Sequence, residues 1–575
     1  MKNILIILMS VLSLTSWSQE TNSETNTENS NQQPAINMQI NPEKVLTELT
    51  TIAENIEVSP LNLLPVQQNG RIKPFDTLAK ESLVYITGSY KKFGLQPVQL
   101  FTSLMAFEGS QYIELIEIRS KELRVELGFQ KSKRFYSVAE LEGSDLMKIV
   151  DPLLKKQKES PRLLIETEKK AIEGFQQYVL AKEIITGQLL SSAVDYSFIN
   201  QKHGTTVSTE QPSINQEVQN ELRSYFRTIT KTSDEQKTAS QNLIAAVKKQ
   251  KVPELFQHYL DKMEIEVFYN SARLFLWASI LCLFLGLCFF TPLFKNKISY
   301  KLTQFIYIVP IVFIAFGLSL RVYITKFAPI TNMFGTMIWV SFGIMLFSYL
   351  LFLLYKNYTL PGITLIVSGL MLMLTEQVPL ILSPDLDPIV AVLRSNFWLS
   401  THVTTITISY AAFSIAMVLG NIALIRLWIY KDNEAYFKEY SHYAYRMIQL
   451  GCFLLSVGII LGGIWADYSW GRFWGWDPKE TWALIADLGF LAILHARIVG
   501  WMTPFYLLAW SPLAYLLVIM AWYGVNFILA AGLHSYGFSS GGATMVAVFV
   551  TIQVVLLLAG LVKMKQLKKS KVQTV

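Results

Sequence analysis

The hydrophobic pattern changes character near Ala272. From Met38 to Tyr269 apolar and charged residues are interleaved, whereas beyond that point long apolar blocks alternate with short polar loops. A helix needs about 20 mainly apolar residues to cross the hydrocarbon of a bilayer. Nine blocks come near that length, at 272–293, 302–322, 330–355, 359–382, 401–428, 447–466, 481–500, 505–531 and 543–563. The pattern therefore predicts an all-α polytopic membrane protein with about nine transmembrane helices. Upstream, stretches such as SPRLLIETEKKAIEGFQQYVLAKEIITGQLL and NELRSYFRTITKTSDEQKTASQNLIAAVKKQ repeat apolar residues at helical spacing. A mainly helical extracytoplasmic domain is expected over residues 38–270, and its opening segment, LPVQQNGRIKPFDTLAKESLVYITG, sets Gly70 and Pro74 in a turn ahead of a helix.

The first residues, MKNILIILMSVLSLTSWSQ, combine a lysine, a short apolar run and small residues at Ser16 and Ser18. That reads as a signal peptide over 1–18, cleaved before Gln19, with a retained anchor as the alternative. Residues 19–37, rich in Asn, Thr, Ser and Glu, cannot bury a core and read as a disordered tether. An exported domain then fixes the threading. Lys295, Lys297, Lys301, Lys356, Arg426, Lys431, Lys438, Arg446, Arg497 and the basic tail at 568–575 all fall on the opposite side, as the positive-inside rule requires. The membrane half divides into a first group of helices, 271–390, and a core, 391–567.

With 51% hydrophobic and 16% charged residues in 575, a set of ordinary soluble domains is excluded. The net charge of +7 does not point to nucleic acid, because the lysines collect beside membrane segments. Cys282, Cys288 and Cys452 all lie inside apolar blocks, which excludes a disulfide-stapled ectodomain and a CxxC redox role.

The loop between the sixth and seventh blocks, WADYSWGRFWGWDPKETWALI, holds Trp465, Trp470, Trp474, Trp476 and Trp482, with Gly471 and Gly475 between them. A lone tryptophan at this depth is an interfacial belt residue. Five of them interleaved with glycines suggest a flat apolar platform for a large planar aromatic. Asp477-Pro478-Lys479-Glu480 matches a helix start with a capping box, which gives Asp477 a structural reading beside a ligand-binding one. Arg472 and Lys479 suit either the propionates of a haem or lipid phosphates. Among six histidines, His402 and His534 lie at the outer mouths of the fifth and eighth blocks, placed to share one iron. His495 lies thirteen positions beyond Trp482 inside the seventh block, either bonded to a neighbouring helix or ligating an inner haem. His203, His258 and His442 read as solvated or satisfied.

WGRFWGWDPKETWALI resembles the tryptophan-rich WWD signature of haem-handling proteins of cytochrome c biogenesis. FWLSTHV, LAILHAR and GLHSYG resemble the histidine motifs of the CcsA type, which belongs to system II, and the LPVQQNGRIKPFDTLAKE segment is similar to the region ahead of the CcsA part in fused CcsBA proteins. The resemblance covers most of residues 60–565. It implies a holocytochrome c synthase component (a haem lyase) in a bacterial cytoplasmic membrane, with its N-terminal domain in the periplasm. It implies haem b, iron protoporphyrin IX, held by His402 and His534 on the outer side, by His495 at an inner site, and by the loop residues Trp470, Gly471, Arg472, Trp474, Gly475, Trp476, Asp477 and Lys479. The family takes a further intramembrane histidine from its CcsB (ResB) part, and no histidine occurs in the first four blocks here, so a CcsB/ResB-like partner is implied. The other implied partners are apocytochrome c, a thioredoxin-like thiol reductant and membrane lipid, with no nucleic acid. Catalysis is expected to work by positioning the haem vinyl groups against the CxxCH thiols. The competing readings are a system I haem chaperone, a b-type electron-transfer membrane protein and a small-solute transporter.

Overall fold

The computed structural model describes residues 42–160, 164–196, 215–252, 254–292, 294, 298–379, 381–388, 396–430, 433–529 and 542–573. The expected signal peptide and tether, Lys295, Lys297, Lys431, His203 and His534 lie outside them. Among the described residues, nine helices are long and apolar enough to cross a membrane: Met263–Cys288, Tyr300–Thr325, Met333–Tyr355, Thr359–Gln377, Ser400–Ile429, Glu434–Trp470, Pro478–Ile498, Pro504–Leu529 and Ala543–Leu567. They are called here the first to ninth spans, and the chain is a multi-pass membrane protein.

The fifth span is central, with 78% of its apolar window buried against 17% for the ninth. It packs on the third, sixth, eighth and ninth spans, and the first span packs on the fourth. The sixth span runs for 37 residues, about 55 Å at 1.5 Å per residue, far beyond the hydrocarbon thickness. The first span begins in polar sequence and turns sharply at Arg273, whose φ of 44° separates Met263–Ala272 from Leu274–Cys288.

Ahead of the spans, helices such as Phe75–Thr87, Pro97–Ala106 and Glu166–Ile185 pack around Phe75, Phe101 and Tyr136. Two small sheets interrupt the helical pattern. In one, β1 (Pro65–Gln68) pairs antiparallel with β2 (Arg71–Pro74) across Asn69 and Gly70, both at positive φ. This is the two-residue turn that an Asn-Gly pair favours. The sequence reading placed the turn but not the strands.

The hairpin carries buried charge to the membrane helices. Arg71 is fully buried and donates two hydrogen bonds of 2.8 Å to Glu266 of the first span. Its Nε lies 3.6 Å from Asp387, Lys73 pairs with Glu81, and the Asn69 amide donates to Asp387 at 2.7 Å. Asp387 belongs to a strap, residues 381–388, between the fourth and fifth spans. The strap is held from below by Arg321, which donates to the carbonyls of Pro384 (3.0 Å) and Asp385 (3.3 Å), and by Asn332, which donates to those of Ser383 and Asp385 at 3.0 Å. Domain, strap and the Arg321 end of the second span thus share one face, as the alternating threading requires.

Candidate functional site

His402 stands at that face, where the fifth span begins. Its Nδ1–H is donated to the carbonyl of Gly458 in the sixth span at 2.8 Å. A carbonyl only accepts, so this bond fixes the tautomer and leaves the imidazole lone pair on Nε2. Residues Leu399–Val403 are wound as a π-helix, and so are Met520–Leu529 at the corresponding end of the eighth span. Such wide turns are rare and frequent at functional sites. Here each one feeds side chains into a single cavity of about 360 Å³, lined by His402, Trp465, Phe473, Trp474, Lys479, Glu480, Trp522 and Asn526 among others. Small-molecule sites occupy about 300–1,000 Å³.

The tryptophan-rich loop closes one side. Gly471, in the left-handed conformation, ends the sixth span. Asp477 begins the seventh: its carboxylate accepts from the Lys479 N–H at 3.0 Å, while Glu480 accepts from the N–H groups of Asp477 (3.2 Å) and Gly475 (2.9 Å). The capping box is formed as the sequence suggests. The indoles do not make one flat surface. Trp465 lies 5.7 Å from the His402 ring and 6.0 Å from Trp470. Trp474 faces the cavity and stands perpendicular to Trp476, which is 70% exposed. Trp476 itself has a φ of 55°, a costly conformation for a bulky residue.

The two cations of the loop part company. Arg472 sits 6.0 Å over the Trp470 ring and fills the place a side chain would take at Gly475, so it lines no part of the cavity. Lys479 does line it, donating to the Asn526 Oδ1 at 3.2 Å. His495 lies in the last turn of the seventh span, sixteen residues and about 24 Å beyond Lys479, with its side chain exposed and its Nδ1 bonded to its own helix at Leu491. His442, on the face opposite the domain, is bonded to the Tyr355 hydroxyl at 3.0 Å.

Sequence reasoning missed three groups. Trp522 and Asn526 line the cavity from the eighth span, four residues apart in its π-wound stretch. Asp487 is a buried carboxyl in the middle of the seventh span, accepting from the Ser456 hydroxyl at 2.6 Å. A lone acid inside an apolar block was its signal.

Among the described residues no three His, Cys, Asp or Glu side chains gather to hold a bare metal ion. One imidazole among aromatic walls fits instead a metal that arrives inside its own macrocycle. The buried indole Nε1 atoms of Trp465 and Trp522 have no hydrogen-bond partner among the described residues, so the cavity walls also offer donors to a ligand bearing acceptors.

Comparison with known proteins bears on that chemistry. Residues 273–534 match the family model described as cytochrome C assembly protein. The chain is 36% identical to the cytochrome c biogenesis protein CcsA of Guillardia theta over 238 residues, 36% of this chain and 76% of that protein. It is 34% identical to CcsA of Prochlorococcus marinus over 279 residues, 43% of this chain and 86% of that protein. The chain belongs to the CcsA family. Its role accordingly lies in cytochrome c biogenesis. The likeness extends past the CcsA portion in the protein NrfI of Wolinella succinogenes, 28% identical over 491 residues, 81% of this chain. The chain spans about half (53%) of the length of that relative. The His402 cavity, the tryptophan-rich loop and the π-wound ends of the fifth and eighth spans all fall within the CcsA-family region.

Proposed function

We propose that this CcsA-family protein binds haem b in the His402 cavity and presents it to apocytochrome c, acting as a holocytochrome c synthase component. The observation that supports the proposal is the bond from His402 Nδ1 to the Gly458 carbonyl, a tautomer in which Nε2 is the nitrogen that would meet an iron. His534 would supply a second imidazole. Trp474 supplies an apolar wall, and Lys479 meets a propionate. Arg472, Trp470, Gly471, Gly475, Trp476 and Asp477 shape and brace the loop around the haem. Attachment would need neither a cysteine nor an acid/base pair of this chain: the cavity residues would hold the haem in place, and each substrate thiol would add its sulfur and its proton across one vinyl double bond. His495 ligates haem at an inner site completed by a CcsB/ResB-like subunit, a role favoured by its exposure on the outside of the bundle. The domain over 38–270 faces the periplasm of a bacterial cytoplasmic membrane, where a thioredoxin-like reductant keeps the substrate thiols reduced.

Visible absorption of the full chain, purified with and without a CcsB-like partner, tests the reading. Bound haem is expected, with loss of haem in His402→Gly and in His534→Gly that added imidazole restores. If both variants keep the wild-type spectrum and still mature cytochrome c, the assignment fails.

A further inference from the structure

The seventh and eighth spans set a cation and an N–H donor with no acceptor among the described residues on the wall of one cavity. Lys479 lines the cavity, and its ammonium makes one hydrogen bond, to the neutral Asn526 side chain. The two carboxylates nearest in sequence are engaged elsewhere: Asp477 caps the helix through the Lys479 N–H, and Glu480 takes the N–H groups of Gly475 and Asp477. Asp477 also attracts the ammonium, so the charge is offset only in part. Asn526 is anchored in turn, its Nδ2 donating to the Trp522 carbonyl at 2.8 Å. Trp522, four residues earlier on the same helix, lines the same cavity, and its Nε1 is buried with no acceptor among the described residues. A buried N–H left unpaired is costly, and so is a buried ammonium whose hydrogen bond goes to a neutral amide. A carboxylate on the ligand would answer both.

We infer that Lys479 and Trp522 form an acid-recognising pole of the cavity, and that Trp522, through its N–H, selects a porphyrin with a free carboxylate over one whose carboxylates are masked. The inference rests on the haem reading above. It also gives the Lys479–Asn526 bond a purpose: Asn526 holds the ammonium in place without neutralising it, as an acid at that position would.

The test compares iron protoporphyrin IX with its dimethyl ester, which keeps the iron, the ring and the vinyl groups and removes both negative charges. Each is titrated into the full-length protein in detergent. The wild type is expected to bind the free acid about tenfold more tightly or better, the range of a hydrogen bond to a charged group. Trp522→Phe, which keeps an aromatic ring and removes the N–H, should weaken the free acid several-fold and the ester, whose carbonyl is a neutral and weaker acceptor, much less. Lys479→Met should abolish the preference without touching the cap. Equal binding of both porphyrins by the wild type overturns the inference while leaving the haem reading intact, as does a Trp522→Phe protein that loses both porphyrins equally. Binding of neither porphyrin by the wild type overturns the haem reading itself.

Discussion

Gly462 lies against the ring of His402: a methyl group on its α-carbon would stand 2.5 Å from the imidazole Cε1 and 2.9 Å from Nδ1. The sixth span therefore does two things to this histidine. It takes the ring proton at Gly458, and one turn later it makes room for the ring.

Gly462→Ala must push the imidazole away or strain the helix pair, at a cost of about 1–3 kcal/mol. A lowered unfolding temperature and a changed haem absorption are expected together. A variant that matches the wild type in both would show that the ring does not depend on this contact.

Replacing His495 by Ala should lower the amount of haem recovered in the His402 cavity without altering its ligation, because His495 lies at the end of the seventh span remote from Lys479 and the cavity. The readout is the haem-to-protein ratio and the line shape of the visible spectrum, with the CcsB-like partner present. Unchanged occupancy would remove His495 from the path.

Arg321 is 2% exposed and meets no carboxylate among the described residues; its guanidinium is satisfied by the Tyr269 hydroxyl and two strap carbonyls. Arg321→Met takes the donor from the Pro384 carbonyl and one of two donors from that of Asp385, which keeps Asn332, and should destabilise the fold by about 1–3 kcal/mol. Hydrogen exchange should rise first at 381–388. Exchange confined to the second span instead would contradict the bracing role of this residue.

The junction between domain and strap should weaken as pH rises. Burial pushes the Glu81 carboxyl up to about 8, Asp385 and Asp387 adding to the effect and Lys73 and Arg71 opposing it. Burial raises Asp385 as well. The folded protein thus holds a proton that the unfolded chain releases near the ordinary glutamate value of 4.5. The stabilisation is complete below that value and is lost as pH climbs toward 8. Protection of Phe75–Thr87 and of the strap, corrected for intrinsic exchange, should fall over that window, and Glu81→Gln should flatten the fall. A wild type with constant protection would refute it.

The spans were legible because twenty apolar residues in a row leave few other choices, but their ends were not. The first span starts at Met263 rather than near 272, since its opening turns carry Glu264 and Glu266, and Glu266 is bonded to Arg71 instead of being exposed to lipid. The sixth extends from Glu434 to Trp470 around a block read as 447–466, its polar ends lying beyond the hydrocarbon. At the cavity, His402, Trp474 and Lys479 could be picked by residue type and depth. What residue type could not separate was Arg472 from Lys479, or Trp474 from Trp476, because the facing of each depends on a loop whose backbone turns at Gly471 and Trp476. Trp522 and Asn526 were hidden in an apolar block whose helical winding changes where they sit.

Those π-wound stretches have a mechanical consequence. A π turn accommodates a surplus residue in a helix, and that surplus can be handed along the axis without breaking the rod. Each residue between its old and new positions would then swing by about 100°, the angular step of an α-helix. His402 occupies one such stretch and Trp522 with Asn526 the other. Two stretches of the cavity wall thus carry the surplus that would let them exchange the side chains they present while the helices around them stay put.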